Sequence, residues 1–130
     1  MAFGTLAFDT LQTSDSKKTG TNKTLDTSYL YNGSAKAWAA MDPNVLDESY
    51  NFSSLTDQGT GDFDYNFTSL MASEHFSATG AKQNSVTNSN CEVLSLFSST
   101  TTSNTRQRYY ENNALTDPRD ANVTVHGDLA

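Results

Sequence analysis

The sequence is short of nearly every residue pattern that would declare a chemistry. Its 130 residues include one cysteine, Cys91, so no intrachain disulfide can form, and its place before the apolar residues Val93, Leu94, Leu96 and Phe97 suits a buried structural thiol. The only imidazoles are His75 and His126. No G-x-S-x-G, H-E-x-x-H or P-loop pattern occurs, and serines are too numerous for proximity to a histidine to mean a catalytic triad. A non-enzymatic protein is expected, with no catalytic, cofactor-binding or metal-binding residue assigned. Basic residues are also few: 8 lysines and arginines face 15 aspartates and glutamates, for a net charge of −7. That balance excludes a general nucleic-acid binder, which needs cations against phosphates, and an anionic membrane surface as partner. Lys17–Lys18 and Arg106/Arg108 are the only close basic pairs, and neither makes a patch. No apolar run approaches the ~20 residues of a membrane span. Met1 to Leu11 lacks the basic and long apolar regions of a signal peptide.

Apolar residues make up 35% of the chain, which is low for a self-sufficient core. Charged residues reach only 18%, so disorder driven by charge does not account for the deficit. Serine, threonine and asparagine fill the gap, as in Thr100 to Ser103 and Asn84 to Asn90. Their side chains compete for backbone hydrogen bonds, which favours strands and turns over helices. A polar, strand-prone chain with a thin core is one that further copies of itself would complete.

Along the chain, Leu6, Phe8 and Thr10 fall on one face of a short strand, and Thr13 to Thr27 reads as an extended polar linker. Ala35 to Met41 is an apolar strand in which Trp38, the sole tryptophan, is expected to fill the core. Asp42-Pro43-Asn44 is a turn. Ser49 to Leu55 is a strand with Tyr50 and Phe52 on one face and a bulge at Ser53–Ser54, since Leu55 falls out of phase. Asp57 to Gly61 is a hairpin connection in which Gly59 and Gly61 permit positive φ. Asp62 to Leu70 alternates clearly, with Phe63, Tyr65 and Phe67 inward and Asp62, Asp64, Asn66 and Thr68 outward. Further strands are expected at His75 to Thr79, at Cys91 to Ser98 (central in a sheet), at Arg106 to Glu111, and at Val123 and Val125. Gly80 to Asn90 and Ser98 to Asn104 read as loops, and Asp117–Pro118 as a turn. No segment carries an apolar stripe at helical period. The fold class is all-β, an antiparallel β-sandwich or small barrel of seven or eight short strands with an extended N-terminal segment. Residues 1–28 form that segment and residues 29–130 the β-domain.

One ordered set of motifs covers about a third of the chain. It runs Gly33-Ser34-Ala35-Lys36-Ala37-Trp38, then Ser49-Tyr50-Asn51-Phe52-Ser53-Ser54-Leu55-Thr56-Asp57, then Gly59-Thr60-Gly61-Asp62-Phe63, Asn66-Phe67-Thr68 and Met71. This segment, Gly33 to about Ala81, resembles a fibre or surface module found in virion proteins of tailed bacteriophages. It departs from that module at Ala39 to Asp42, where family members continue Val-Asn-Phe, and at Ala72, where proline often follows the methionine. Phe3-Gly4-Thr5-Leu6 and Asp9-Thr10-Leu11 resemble the leader that precedes the module in some phage fibres. The resemblance implies a structural virion protein on the particle surface, a homotrimeric fibre or a decoration of capsid or tail. Its N-terminal segment would dock on the major capsid or tail proteins. A host-surface glycan-binding, adhesin-like module is the alternative.

Candidate sites each have a plainer reading beside them. Asp57, Asp62 and Asp64 around two glycines invite a cation, but the spacing fails the EF-hand pattern and hairpin chemistry accounts for it. Asp42, Asp47 and Glu48 form a second acidic group with the same plain reading. Glu74, Glu92 and Glu111 are scattered singly. Tyr109–Tyr110, flanked by Arg108 and Glu111, make either a sugar-binding surface or a packing or subunit contact. With the loop Gly80 to Asn90, they would carry specificity in the glycan-binding alternative.

Overall fold

The computed structural model describes residues 10–12, 24–83, 92–95 and 100–130, with side chains for 30–82 and 100–130. Cys91, the strand residues Leu6 and Phe8, and the loop 84–90 lie outside the described residues. The chain divides into two units, Met1–Ser34 and Ala35–Ala130.

In the first unit, β1 (Thr10–Gln12) pairs antiparallel with β2 (Thr24–Asp26), setting Leu11 opposite Leu25. A seven-residue helix α1 (Thr27–Gly33) follows, and Ser34 closes it by donating its backbone N–H to the Leu30 carbonyl and its hydroxyl to that of Tyr31. The expected linker is therefore replaced over residues 24–27 by a strand and the start of a helix. Two turns of helix are too short to display a periodic stripe, which is why the pattern gave no sign of it.

The second unit is a β-sandwich of two antiparallel sheets, not a closed barrel. Its strands are β3 (Ala37–Met41), β4 (Leu46–Tyr50), β5 (Phe52–Gly59), β6 (Asp62–Phe67), β7 (Ser77–Gln83), β8 (Glu92–Ser95), β9 (Asn104–Glu111), the two-residue β10 (Ala114–Leu115) and β11 (Asp120–His126). One sheet runs β4-β3-β11-β7. The other runs β10-β9-β6-β5, with β8 also on β9. The hairpin at Asp57–Gly61 forms as expected, with Gly59 at φ 127 and Gly61 at φ 64. The register slips between Phe52 and Ser54, where the bulge was expected.

Strict alternation builds the core. Ala37, Ala39 and Met41 of β3 and Ala121, Val123 and Val125 of β11 face inward from one sheet. Phe63, Tyr65 and Phe67 of β6, Phe52 of β5 and Tyr109 of β9 face them from the other. Small residues on one sheet thus meet aromatics on the other, filling the space with a low apolar count. Phe52 stacks on Phe67 at 5.0 Å, and Phe76 meets Phe67 edge-on at 5.5 Å. The Tyr65 and Tyr109 hydroxyls lie 2.7 Å apart, and the Tyr65 hydroxyl donates to Met41 Sδ at 3.3 Å. Tyr109 is then the donor to Tyr65.

Five expectations are corrected. Trp38 does not fill the core; it is 41% exposed, because Ala37, Ala39 and Met41 take the inward positions of β3. Tyr50 and Phe52 do not share a face: Asn51, at φ 57, ends β4 and starts β5 in the other sheet, leaving Tyr50 exposed and Phe52 buried. Asp62 is on the outward side of β6 but is buried, covered by two arginines. Among the described residues β8 is hydrogen-bonded to β9 alone, so it lies beside a central strand instead of being one. The strand expected at His75 begins at Ser77 and runs on to Gln83, taking the first residues of the expected loop.

Candidate functional site

The acidic hairpin is occupied by its own chain. The Asp57 carboxylate accepts the Gly59 N–H at 2.8 Å, and Asp64 accepts from Gln58 Nε2 at 2.8 Å. Asp62 accepts two bonds from Arg106, at 2.6 and 2.7 Å, and one from Arg108 Nε at 2.7 Å. The hydrogen bond from Arg106 holds the Asp62 carboxyl below its ordinary value; burial opposes this, and Arg108 reinforces it. Asp64 keeps its other oxygen, Oδ1, buried without a hydrogen-bond partner, 3.8 Å from Arg106 Nε. Among the described residues no group of three or more histidine, cysteine or acidic side chains is placed to hold a metal.

Tyr109 is fully buried and hydrogen-bonded to Tyr65, so of the two readings of Tyr109–Tyr110 it takes the packing one and is not part of a sugar-binding surface. Alternation along β9 turns Thr105, Gln107 and Tyr109 inward, leaving only Tyr110 on the outer side, partly covered. Burial pushes the Tyr65 hydroxyl up to about 12, against an opposing effect of the Tyr109 hydrogen bond, and pushes Tyr109 up still further. Both stay neutral at any physiological pH.

The exposed aromatics are elsewhere. β3 sits between β4 and β11, and its register sets Trp38 opposite Tyr50 on one side and Thr124 on the other. Thr124 in turn faces Thr79 of β7. The four form one row across the outer face of the sheet, Tyr50–Trp38–Thr124–Thr79. Tyr50 is 54% exposed. Adjacent strands stand about 4.8 Å apart, so the two rings occupy neighbouring positions on one surface. The next row outward is Glu48–Ala40–Asn122–Ala81. Two alanines there make a depression beside the aromatic pair.

That depression opens into a groove of about 380 Å³ whose lining includes Ala40, Ala81 and Asn122 together with Asp42, Asp47 and Asp120. Met41, Lys82 and Ala121 complete the lining, but Lys82 stands opposite the buried Ala121, so its side chain turns to the inner side of the sheet. The register of β3 against β4 slips between Ala40 and Met41, which places Asp47 as the extra residue of a bulge beside the groove. Asn122 Oδ1 accepts the Ala81 N–H at 3.2 Å, which fixes the amide across the sheet. The acidic group Asp42, Asp47 and Glu48 noted in the sequence thus meets Asp120, eighty residues away in the chain, because β11 lies beside β3. The face combines aromatic surface with hydrogen-bonding groups of both kinds. Such a surface packs against the C–H face of a ring while its polar rim bonds the ring's substituents.

Neither a protein-family model nor a curated protein matches the chain. Among solved structures, its fold is similar to that of a bacteriophage tailspike. The protein is the phiAB6 tailspike, solved in complex with three-repeated oligosaccharides of Acinetobacter baumannii surface polysaccharide. The TM-score is 0.51 at 11% sequence identity, over 83% of this chain and 21% of the tailspike. The likeness is one of fold, and this chain spans about a fifth of the tailspike's length.

Proposed function

We propose that the chain is a non-enzymatic module of a phage virion surface protein that binds host-surface glycans. The observation that carries this reading is the Trp38–Tyr50 pair, exposed in register on a sheet face beside Thr124, Thr79, Asn122, Glu48 and the small Ala40 and Ala81. Tryptophan is costly to leave in water, and a second exposed aromatic directly across the ladder makes a platform rather than a stray side chain. The fold similarity to a tailspike solved with oligosaccharides, and the resemblance of Gly33 to Ala81 to phage fibre modules, support the same class of ligand and location. The test is titration of the folded protein with host-surface oligosaccharides, followed by tryptophan fluorescence. Trp38→Ala is expected to cost about 2 kcal/mol, a roughly thirtyfold loss of affinity, with unchanged thermal stability. A folded protein that binds none of the surface glycans of its host would remove the reading. The polysaccharide's length distribution is expected to stay unchanged after incubation, since the face carries no group assigned to bond cleavage.

The second part of the proposal is assembly as a homotrimeric fibre or decoration, with the N-terminal unit docking on capsid or tail proteins. The thin core and the exposed Val45, Leu70 and Leu115 support contact with further copies.

A further inference from the structure

We infer that the outer face of the β4-β3-β11-β7 sheet selects uncharged oligosaccharides and rejects acidic ones, an inference that rests on the glycan-binding reading above. From Trp38 to Asp42 the face runs four residues along β3 and beyond, roughly 13 Å, which is longer than a single sugar ring. A ligand stacked on Trp38 and Tyr50 therefore extends over the alanine floor and between Asp42, Asp47 and Asp120. With Glu48 in the second row, four carboxylates border this path. The protein as a whole carries −7. A uronate or other acidic sugar entering this field meets like charge at every step of the path, and partial desolvation in the groove strengthens the repulsion.

Sugar hydroxyls suit the same groups. A carboxylate is acceptor-only and accepts a hydrogen bond from a sugar hydroxyl, which has an O–H to donate. The Asn122 side chain, anchored to β7, adds an amide that can donate as well as accept.

The experiment titrates the full chain with neutral and uronate-containing oligosaccharides of equal length, at low and at high salt. The neutral ligand is expected to bind at least tenfold tighter at low salt, with the gap narrowing as salt screens the field. The double variant Asp42→Asn/Asp120→Asn keeps acceptor oxygens while removing charge. It is expected to raise the ratio of acidic to neutral affinity at least tenfold, so an unchanged ratio also counts against the inference. Equal or tighter binding of the acidic ligand by the unmodified protein overturns the inference and leaves the glycan reading standing. Binding of neither ligand class, with Trp38→Ala changing the mass in solution instead, assigns the face to contact between copies and overturns both.

Discussion

At the scale of single residues, the two buried tyrosines govern what the core tolerates. Tyr109 donates to Tyr65, which donates to Met41 Sδ, so each hydroxyl proton has one acceptor. Tyr65→Phe leaves the Tyr109 hydroxyl buried without its partner and is expected to destabilise by about 1–3 kcal/mol in chemical denaturation. Adding Tyr109→Phe removes the orphan, so the double variant is expected to lose less than the sum of the two single ones. The hydroxyls also set an alkaline limit. Tyr65 is raised from its ordinary 10.0 to about 12, and Tyr109 is raised too. A raised value means the unfolded chain ionises first. The stabilisation is complete below about pH 10 and is lost as pH climbs through the folded values, which equilibrium unfolding against tyrosinate absorbance will show. Asp62 works in the opposite direction. Its carboxyl is held below the ordinary 3.8, so its contribution is present above that pH and disappears as pH falls through the lowered value. Asp62→Asn is expected to be destabilised at neutral pH and to show a flatter loss of stability below about pH 4. Residue identity alone was a poor guide to which aromatics do what. The segment Ala35 to Met41 is apolar on both faces, so alternation could not decide between Trp38 with Ala40 and Ala37 with Ala39 and Met41 as the inward set. The outcome is visible only in the packed sandwich, where Ala37, Ala39 and Met41 of β3 face the aromatics of β6.

At the scale of elements, the connections were legible where special backbone conformations leave glycine or a bulge as their mark. The Asp57–Gly61 hairpin and the slip after Phe52 could be read directly. The corner at Asn51 could not, because asparagine is common throughout this sequence and only some copies adopt positive φ. Asn51 does so at φ 57, and its side chain ties three segments together. Its Nδ2 donates to the carbonyls of Lys36 and Ser69, and its Oδ1 accepts the Ser69 N–H at 2.7 Å. Asn51→Gly keeps the backbone conformation and loses those bonds; Asn51→Ala loses both. The alanine variant is therefore expected to be less stable than the glycine variant, by about 1 kcal/mol in denaturant midpoints. Asn112–Asn113, at φ 51 and 65, likewise make the tight turn from β9 to β10, a hairpin whose Asn-Asn signal went unread. Gly61 is the most demanding position. A methyl there would stand 2.7 Å from the Thr116 nitrogen and the Tyr109 carbonyl oxygen, both backbone atoms that cannot swing aside. Gly61 N–H also donates to Asp117 Oδ1 at 2.6 Å. Gly61→Ala combines positive φ with these clashes and is expected to cost at least about 3 kcal/mol. At Gly59 no atom lies within 4 Å of the same methyl, so Gly59→Ala should lose only the conformational part.

For the molecule as a whole, sandwich architecture followed from strand count and alternation, whereas the binding face did not. That face is assembled from β3, β4, β7 and β11, and its carboxylates come from both ends of the second unit; no local pattern reports a neighbour eighty residues away. The division into two units carries its own prediction. Residues 35–130 hold both sheets, the whole aromatic core and the proposed glycan face, while residues 1–34 hold β1, β2 and α1. If docking on the particle belongs to the first unit and glycan binding to the second, the two can be separated by deletion. A chain lacking residues 1–34 is expected to unfold cooperatively and to keep its oligosaccharide affinity within about twofold, because neither the core nor the face loses a residue. The same chain is expected to be absent from purified virions when it replaces the full protein. Light scattering on both forms assigns the trimer contacts. A mass of three chains that survives the deletion puts them in the sandwich, where Val45, Leu70 and Leu115 are exposed; collapse to one chain puts them in the N-terminal unit. A full-length protein that stays a folded monomer at micromolar concentration would count against trimerisation altogether, since a core this thin gains its missing burial from further copies only if they associate at that concentration.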